Sequence, residues 1–265
     1  MNTQLIDPSW LQIACAAGLL LVTIGLSAAR GLGLGRDLIV GGIRTLVQLV
    51  AIGYVLGFVF SSGSPALIIP ILIFMLAVAA WTVAARQRRP TNALRLLVLG
   101  SLSAGCGLTM VLATEVILRI QPWYNPYYLI PLMGMVIGNS LNSATLAVER
   151  LDSELRGARD RVEALLALGA TSRQAAAAAV RAAMKAAMIP IINSMMVVGL
   201  VSLPGMMTGQ ILGGSSPLVA IKYQVLIMYM IAFSTTITTF VLTTLRARSY
   251  FTPAHQLRAE AVADA

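Results

Sequence analysis

Arg44 and Gln48 stand four residues apart in the otherwise apolar run "IRTLVQLVAIGYVLG" (43–57), so a helix there would put both on one face. Asn139, Asn142 and Ser143 interrupt a second apolar run in the same way, and Glu149 closes it. Polar groups among so much hydrocarbon are costly, and they are retained where they line a solute path or bond to a neighbouring helix. Arg44 has a further option, which is to extend its guanidinium to the nearer surface. Six methionines (Met133, Met135, Met195, Met196, Met206 and Met207) add thioethers that suit soft ions or serve as adaptable packing. A hard cation would want carboxylate or imidazole. The single histidine, His255, lies near the end of the chain, and only Asp37, Glu115 and Glu149 sit near the ends of apolar runs. The metal ligands, if there are any, stay unassigned.

The elements that hold these groups follow from composition. The 265 residues are 58% hydrophobic and 11% charged, where a soluble domain would be about 25% charged. A bilayer crossing needs roughly 20 apolar residues in a helix, and seven such spans are the simplest partition: 9–29, 38–60, 66–85, 95–117, 127–148, 188–210 and 219–245. The expected fold is all-α and polytopic, a single permease domain over 1–265. Cys15 and Cys106 both fall inside spans, which excludes a disulfide framework. The opening "MNTQLIDPSW" has Asp7 and no basic residue, unlike a cleaved signal.

Charge orients the spans. Arg30, Arg36, Arg44, Arg86, Arg88, Arg89, Arg95, the basic residues between Arg150 and Lys185, and Arg246, Arg248 and Arg258 all fall on one side of an alternating topology. Of the 19 basic residues, only Arg119 and Lys222 fall on the other. The positive-inside rule then predicts the N-terminus outside, the C-terminus inside and the loop 149–187 in the cytoplasm. The net charge of +9 is thus a topological signal, and nucleic acid is not an expected partner.

Span six is interrupted. No charge occurs between Lys185 and Lys222, and "LPGMMTGQILGGSSP" (203–217) breaks helical continuity with proline and glycine. A kink or helix end is predicted near Pro204. The segment is either an outer loop or re-entrant. Pro204, Gly205, Met206, Met207 and Gln210 are the candidate outer gate.

The loop 149–187 is of another kind. Leu151, Leu155, Ala158, Val162, Leu165 and Leu166 recur at spacings of three and four, with charges between them. One amphipathic helix over 150–168 is predicted, continuing span five. Gly169 fits a left-handed C-cap, and "TSRQ" (171–174) fits a capping box between Thr171 and Gln174. A second, alanine-rich helix follows, and Pro190 lies where it meets the membrane. From 247 onward a flexible tail is expected. Two readings of the hairpin stand: it lies on lipid headgroups, or it docks into a groove on a partner.

"EALLALGAT" (163–171) resembles the coupling motif of ABC-transporter permeases, which runs Glu-Ala-Ala, three residues, Gly. Glu163, Ala164 and Gly169 match it. Leu165 stands at the second alanine, and the Ile-x-Leu-Pro ending of importers is absent at the matching offset. Together with "IRTLVQLVAIGYVLG" (43–57), "PLMGMVIGNSLNSATLAVERL" (131–151), "ALLALGATSRQA" (164–175) and "INSMMVVGLVSLPGMMTGQILGG" (192–214), the chain resembles the Fet-type family of iron-export permeases, which includes plant aluminium-tolerance permeases. The resemblance spans residues 9–250. It implies a multi-pass protein of the bacterial inner membrane, paired as a homodimer with two cytoplasmic ABC ATPase subunits. It further implies that Glu163, Ala164, Leu168, Gly169, Ala170, Thr171 and Gln174 engage the ATPase. Arg44, Gln48, Asn139, Asn142 and Glu149 are candidates for the translocation path.

A phosphate-binding loop needs Gly-x-x-x-x-Gly-Lys-Ser/Thr. The lysines, Lys185 after Met184 and Lys222 after Ile221, do not fit it. ATP and magnesium are therefore expected on the partner, this chain holding no cofactor and catalysing no reaction. Three classes remain: an exporter permease for iron or a related metal or chelate, an ABC permease for another solute such as a sugar nucleotide or working as an importer, and a carrier without an ATPase.

Overall fold

The computed structural model describes residues 7–87 and 90–258. Arg88 and Arg89, counted above for topology, and the tail beyond Arg258 lie outside the described residues. The described residues form nine α-helices, in order: α1 (Trp10–Ala29), α2 (Gly35–Ser62), α3 (Pro65–Ala85), α4 (Asn92–Val111), α5 (Pro126–Gly157), α6 (Arg159–Ala167), α7 (Ser172–Val197), α8 (Gly205–Leu212) and α9 (Pro217–Ser249). A π-helical stretch, Leu112–Ile117, prolongs α4. Among the described residues seven helices are long and apolar enough to cross a membrane, and there is no β-strand. The protein is an all-α polytopic membrane protein.

Two compact units divide the chain. The first comprises the chain up to Ser64 with Leu212–Gly214. In it α1 pairs with α2; Ser9 caps α1 through a reciprocal box with Gln12, and Gly63, at φ +56°, ends α2. The second unit holds the rest. At its centre α5 packs on α3, α4, α7 and α9, and α9 packs on α4 and α7.

Within this second unit α4 and α9 approach closely at Gly105. A Cβ built on Gly105 would lie 2.7 Å from the carbonyl oxygen of Ser234, so only glycine lets these backbones come so close. Beside it the Ser234 hydroxyl lies 2.9 Å from that of Ser140 and donates to Cys106 Sγ at 3.5 Å. These three buried groups tie α4, α5 and α9 together. Other glycines of the spans are looser: a Cβ on Gly53, Gly57 or Gly138 would meet nothing within 4 Å, and one on Gly134 would meet Met75 Cε at 3.4 Å. Of the threonines of α9, Thr236 bonds across helices, its hydroxyl reaching Met188 Sδ on α7 at 3.6 Å. Thr235, Thr239 and Thr243 each donate to the carbonyl four residues back in their own helix, a bond always in reach inside a helix.

Three boundaries differ from expectation. The amphipathic stretch 150–168 is two helices, not one, because Gly157 and Ala158 (φ −107°, ψ 24°) break it into α5 and α6. Span six begins and ends earlier than 188–210. Its helix is α7, a continuous run of 26 residues with Pro190 inside it, and it ends at Val197 where Gly199 turns to φ +84°. Pro204 begins rather than ends a helix, its carbonyl accepting from the Thr208 amide at 3.0 Å. Lastly, the segment beyond 247 is folded as far as Arg258. Tyr250 and Phe251 are buried against Leu151, Leu155, Val162 and the alanines of α7.

Candidate functional site

Two regions of the second unit carry the coupling and gate candidates, and α7 joins them. Its 26 residues span about 39 Å at 1.5 Å per residue. At its first turn is the polar hairpin; at its last is a cavity.

The hairpin is stiffened at each step. Arg159 Nε donates to Glu163 Oε1 at 2.8 Å along α6, and the Glu163 carboxylate keeps the Arg159 guanidinium protonated beyond its ordinary range. The α6 end is a full Schellman turn: the Gly169 amide donates to Leu166 O and the Ala170 amide to Leu165 O, both at 3.0 Å. Gly169 takes φ +89° there, a conformation a β-branched residue resists. The capping box forms as the sequence suggests. Gln174 donates its amide to Thr171 Oγ1 at 3.4 Å, and the Thr171 amide donates to Gln174 Oε1 at 2.9 Å. At the tip, Leu168 is 85% exposed, and Ala164, Thr171 and Gln174 are exposed with it.

Underneath, the hairpin is clamped to the end of α9. Arg246 donates twice to Asp152, at 3.0 and 3.3 Å, and to the Tyr250 hydroxyl at 3.2 Å. Burial first, and the Asp152 carboxylate second, push the Tyr250 hydroxyl above the usual tyrosine range. His255 Nδ1 lies 3.0 Å from the Ser172 hydroxyl, beside the cap of α7. None of these tail contacts was expected. The signal available was the aromatic pair Tyr250–Phe251, apolar residues directly after the last span.

Beyond the other end of α7, a cavity of about 550 Å³ is lined by Met195, Val198, Gly199, Leu203, Met207, Ile221, Gln224, Val225, Met228 and Tyr229. Gln224 is 7% exposed, and its Oε1 has no hydrogen-bond partner. Of the candidate gate residues only Met207 lines the cavity. Pro204 and Gly205 start α8, Met206 is half-buried, and Gln210 is half-buried with an unpartnered Oε1.

The path candidates do not converge on this cavity. Asn139, Asn142 and Glu149 lie on the exposed face of α5, and Asn139 Nδ2 donates to Met135 O at 2.9 Å within its own helix. Arg44 and Gln48 belong to the first unit, where both are exposed on α2. Among the described residues no three His, Cys, Asp or Glu side chains come together as a metal cluster.

Residues 10–251 match the family described as UPF0014, an uncharacterised protein family. The chain belongs to this family. Curated members are similar over almost the whole length. The UPF0014 membrane protein slr1647 of Synechocystis is 44% identical over 97% of this chain and 99% of its own. The Arabidopsis thaliana protein ALUMINUM SENSITIVE 3 is 37% identical over 92% of this chain and 88% of its own. The probable iron export permease protein FetB of Escherichia coli is 32% identical over 92% of this chain and 93% of its own. No solved structure matches. One relative of the chain is thus named as a permease, and the Fet-type resemblance read from the sequence holds.

Proposed function

We propose that this chain is the membrane-spanning subunit of an ABC exporter, working as a homodimer over two separate ATPase subunits and moving iron, a related metal or its chelate out of the bacterial cytoplasm. The observation that carries the reading is the capped hairpin with its exposed tip, joined to a cavity by one unbroken helix. The name of the Escherichia coli relative, probable iron export permease, supports the cargo.

In this reading the hairpin faces the cytoplasm. Glu163, Ala164, Leu168, Gly169, Ala170, Thr171 and Gln174 seat in a groove on the ATPase, and ATP with its magnesium stays on that partner. Closure of the ATPase pair pushes on the Gly169 turn. A flexible loop would absorb the push. The Schellman turn, the capping box and the Arg246–Asp152 clamp instead pass it to α5, α7 and α9. At their far ends α7 carries Met195 and α9 carries Gln224, so a tilt at the hairpin reshapes the cavity beside Pro204–Gln210. Asn139, Asn142 and Glu149 are exposed on α5, where a second copy of the chain encloses them as a polar path; Arg44 and Gln48, exposed on α2, are separate candidates for contact with the cargo.

The test is purification from native membranes followed by transport in inverted vesicles. An ATPase should co-purify, and radiolabelled iron should enter the vesicles only with ATP. Flux without ATP, or material with no ATPase bound, contradicts the proposal.

A further inference from the structure

The outward faces of the membrane helices are not alike. On α3 the exposed residues from Ile69 to Trp81 are all apolar, as a surface against lipid chains requires. On α5 and α7, which pack side by side, Asn139, Asn142 and Asn193 are exposed within the apolar spans. Among the described residues neither Asn142 nor Asn193 has a side-chain hydrogen-bond partner. An amide left bare in hydrocarbon is costly, so this face needs a cover that can hydrogen-bond. At its hairpin end stand Glu149 on α5 and Lys185 on α7, both exposed and neither in an ion pair with a described residue. Ala147 and Leu151 flank Glu149 at two residues, and Ala183 and Ala187 flank Lys185 likewise; all four are wholly buried. Two residues are about 200° of helix, so both charges point away from their own core. Their levels match as well. Leu151 shares a buried cluster with Ala183, and Glu149 and Lys185 each lie about 3 Å further from the hairpin along their helices.

A face with one anion and one cation at equal depth complements itself. Rotation about a two-fold axis along the bilayer normal preserves depth and sets each Glu149 against the other copy's Lys185. We infer that a second copy of this chain packs on the α5–α7 face, held in register by two reciprocal Glu149–Lys185 ion pairs, with the asparagine amides bonding across the same interface. The inference rests on the homodimer of the proposed function and adds its face and register.

The test co-expresses two differently tagged full chains in a Cys15→Ser background, one bearing Glu149→Cys and the other Lys185→Cys; the remaining Cys106 is buried. In native membranes a short bis-maleimide should join the two tags. Phe74→Cys on α3, a position 67% exposed, should join to neither. Dimers of chains without these cysteines are then counted by single-molecule photobleaching in liposomes. Glu149→Lys should weaken association at least about tenfold, because both pairs become repulsive. Adding Lys185→Glu to the same chain should restore it, a rescue that a folding defect would not give. A dimer that crosslinks through Phe74→Cys, or that ignores both reversals, overturns the inference while the homodimer and its transport stand. A monomer overturns the inference and the homodimer together. In that case Asn142→Cys open to a lipid-soluble maleimide means that lipid covers the face, and Asn142→Cys shielded from it means that another segment of the chain does.

Discussion

The two ends of α7 are built on opposite principles. At Ser172 the chain is over-determined: a capping box, a Schellman turn, a two-bond ion pair and two buried aromatic residues hold one arrangement. At Val197 the chain turns through Gly199, and the segment to Leu203 is largely exposed, Leu200 by 90% and Val201 by 82%. Two amide oxygens there, Gln210 and Gln224, lack partners. On the proposed function the first end carries force, and satisfied polar groups suit it to that. On the same proposal the second end is the one that opens, and its packing is the looser of the two.

That contrast can be broken from the stiff side. Asp152→Ala leaves Arg246 with no carboxylate, in surroundings where their side chains are only 18% and 15% exposed. The cost should be about 3 kcal/mol, the low end for a broken buried pair. Hydrogen exchange should rise over 159–176 and 246–258 while 198–211 is unaffected. Thr171→Ala removes one cap and should cost about 1 kcal/mol, with exchange rising only in the first turns of α7. Alkali offers a gentler probe. The fold favours the protonated Tyr250 hydroxyl, so its contribution is intact below about pH 10 and is lost as pH rises through the higher folded value. Residues 250–258 should therefore loosen at alkaline pH, and Tyr250→Phe should remove that step. From the loose side the effect should be smallest. Leu200→Ser should change the unfolding midpoint by less than about 0.5 kcal/mol equivalent.

What the residues announced and what they hid divide along the same line. The capping box and Gly169 are local signals, and each formed as the spacing predicts. The seven spans were legible because hydrocarbon length is a strong constraint. The end of span six was not, since Val197–Leu203 is as apolar as the helix before it and only the backbone of Gly199 marks the turn. The break at Gly157–Ala158 was masked by an apolar period that runs through it. The tail clamp, the Ser140–Ser234–Cys106 contact and the cavity depend on residues far apart in the chain. No periodicity reports such pairings.

The central claim is that the Gly169 turn passes a partner's push to the membrane helices. The direct measurement is ATP-driven transport by Gly169→Val, with membrane abundance and ATPase binding recorded alongside. A Cβ at this position would meet nothing within 4 Å, so the defect is one of backbone conformation, worth about 1–2 kcal/mol in the left-handed region. The account predicts normal insertion, retained ATP hydrolysis and transport reduced at least about tenfold, a barrier change of roughly 1.4 kcal/mol, with Gly169→Asn restoring part of it. Full transport by the valine variant would contradict it.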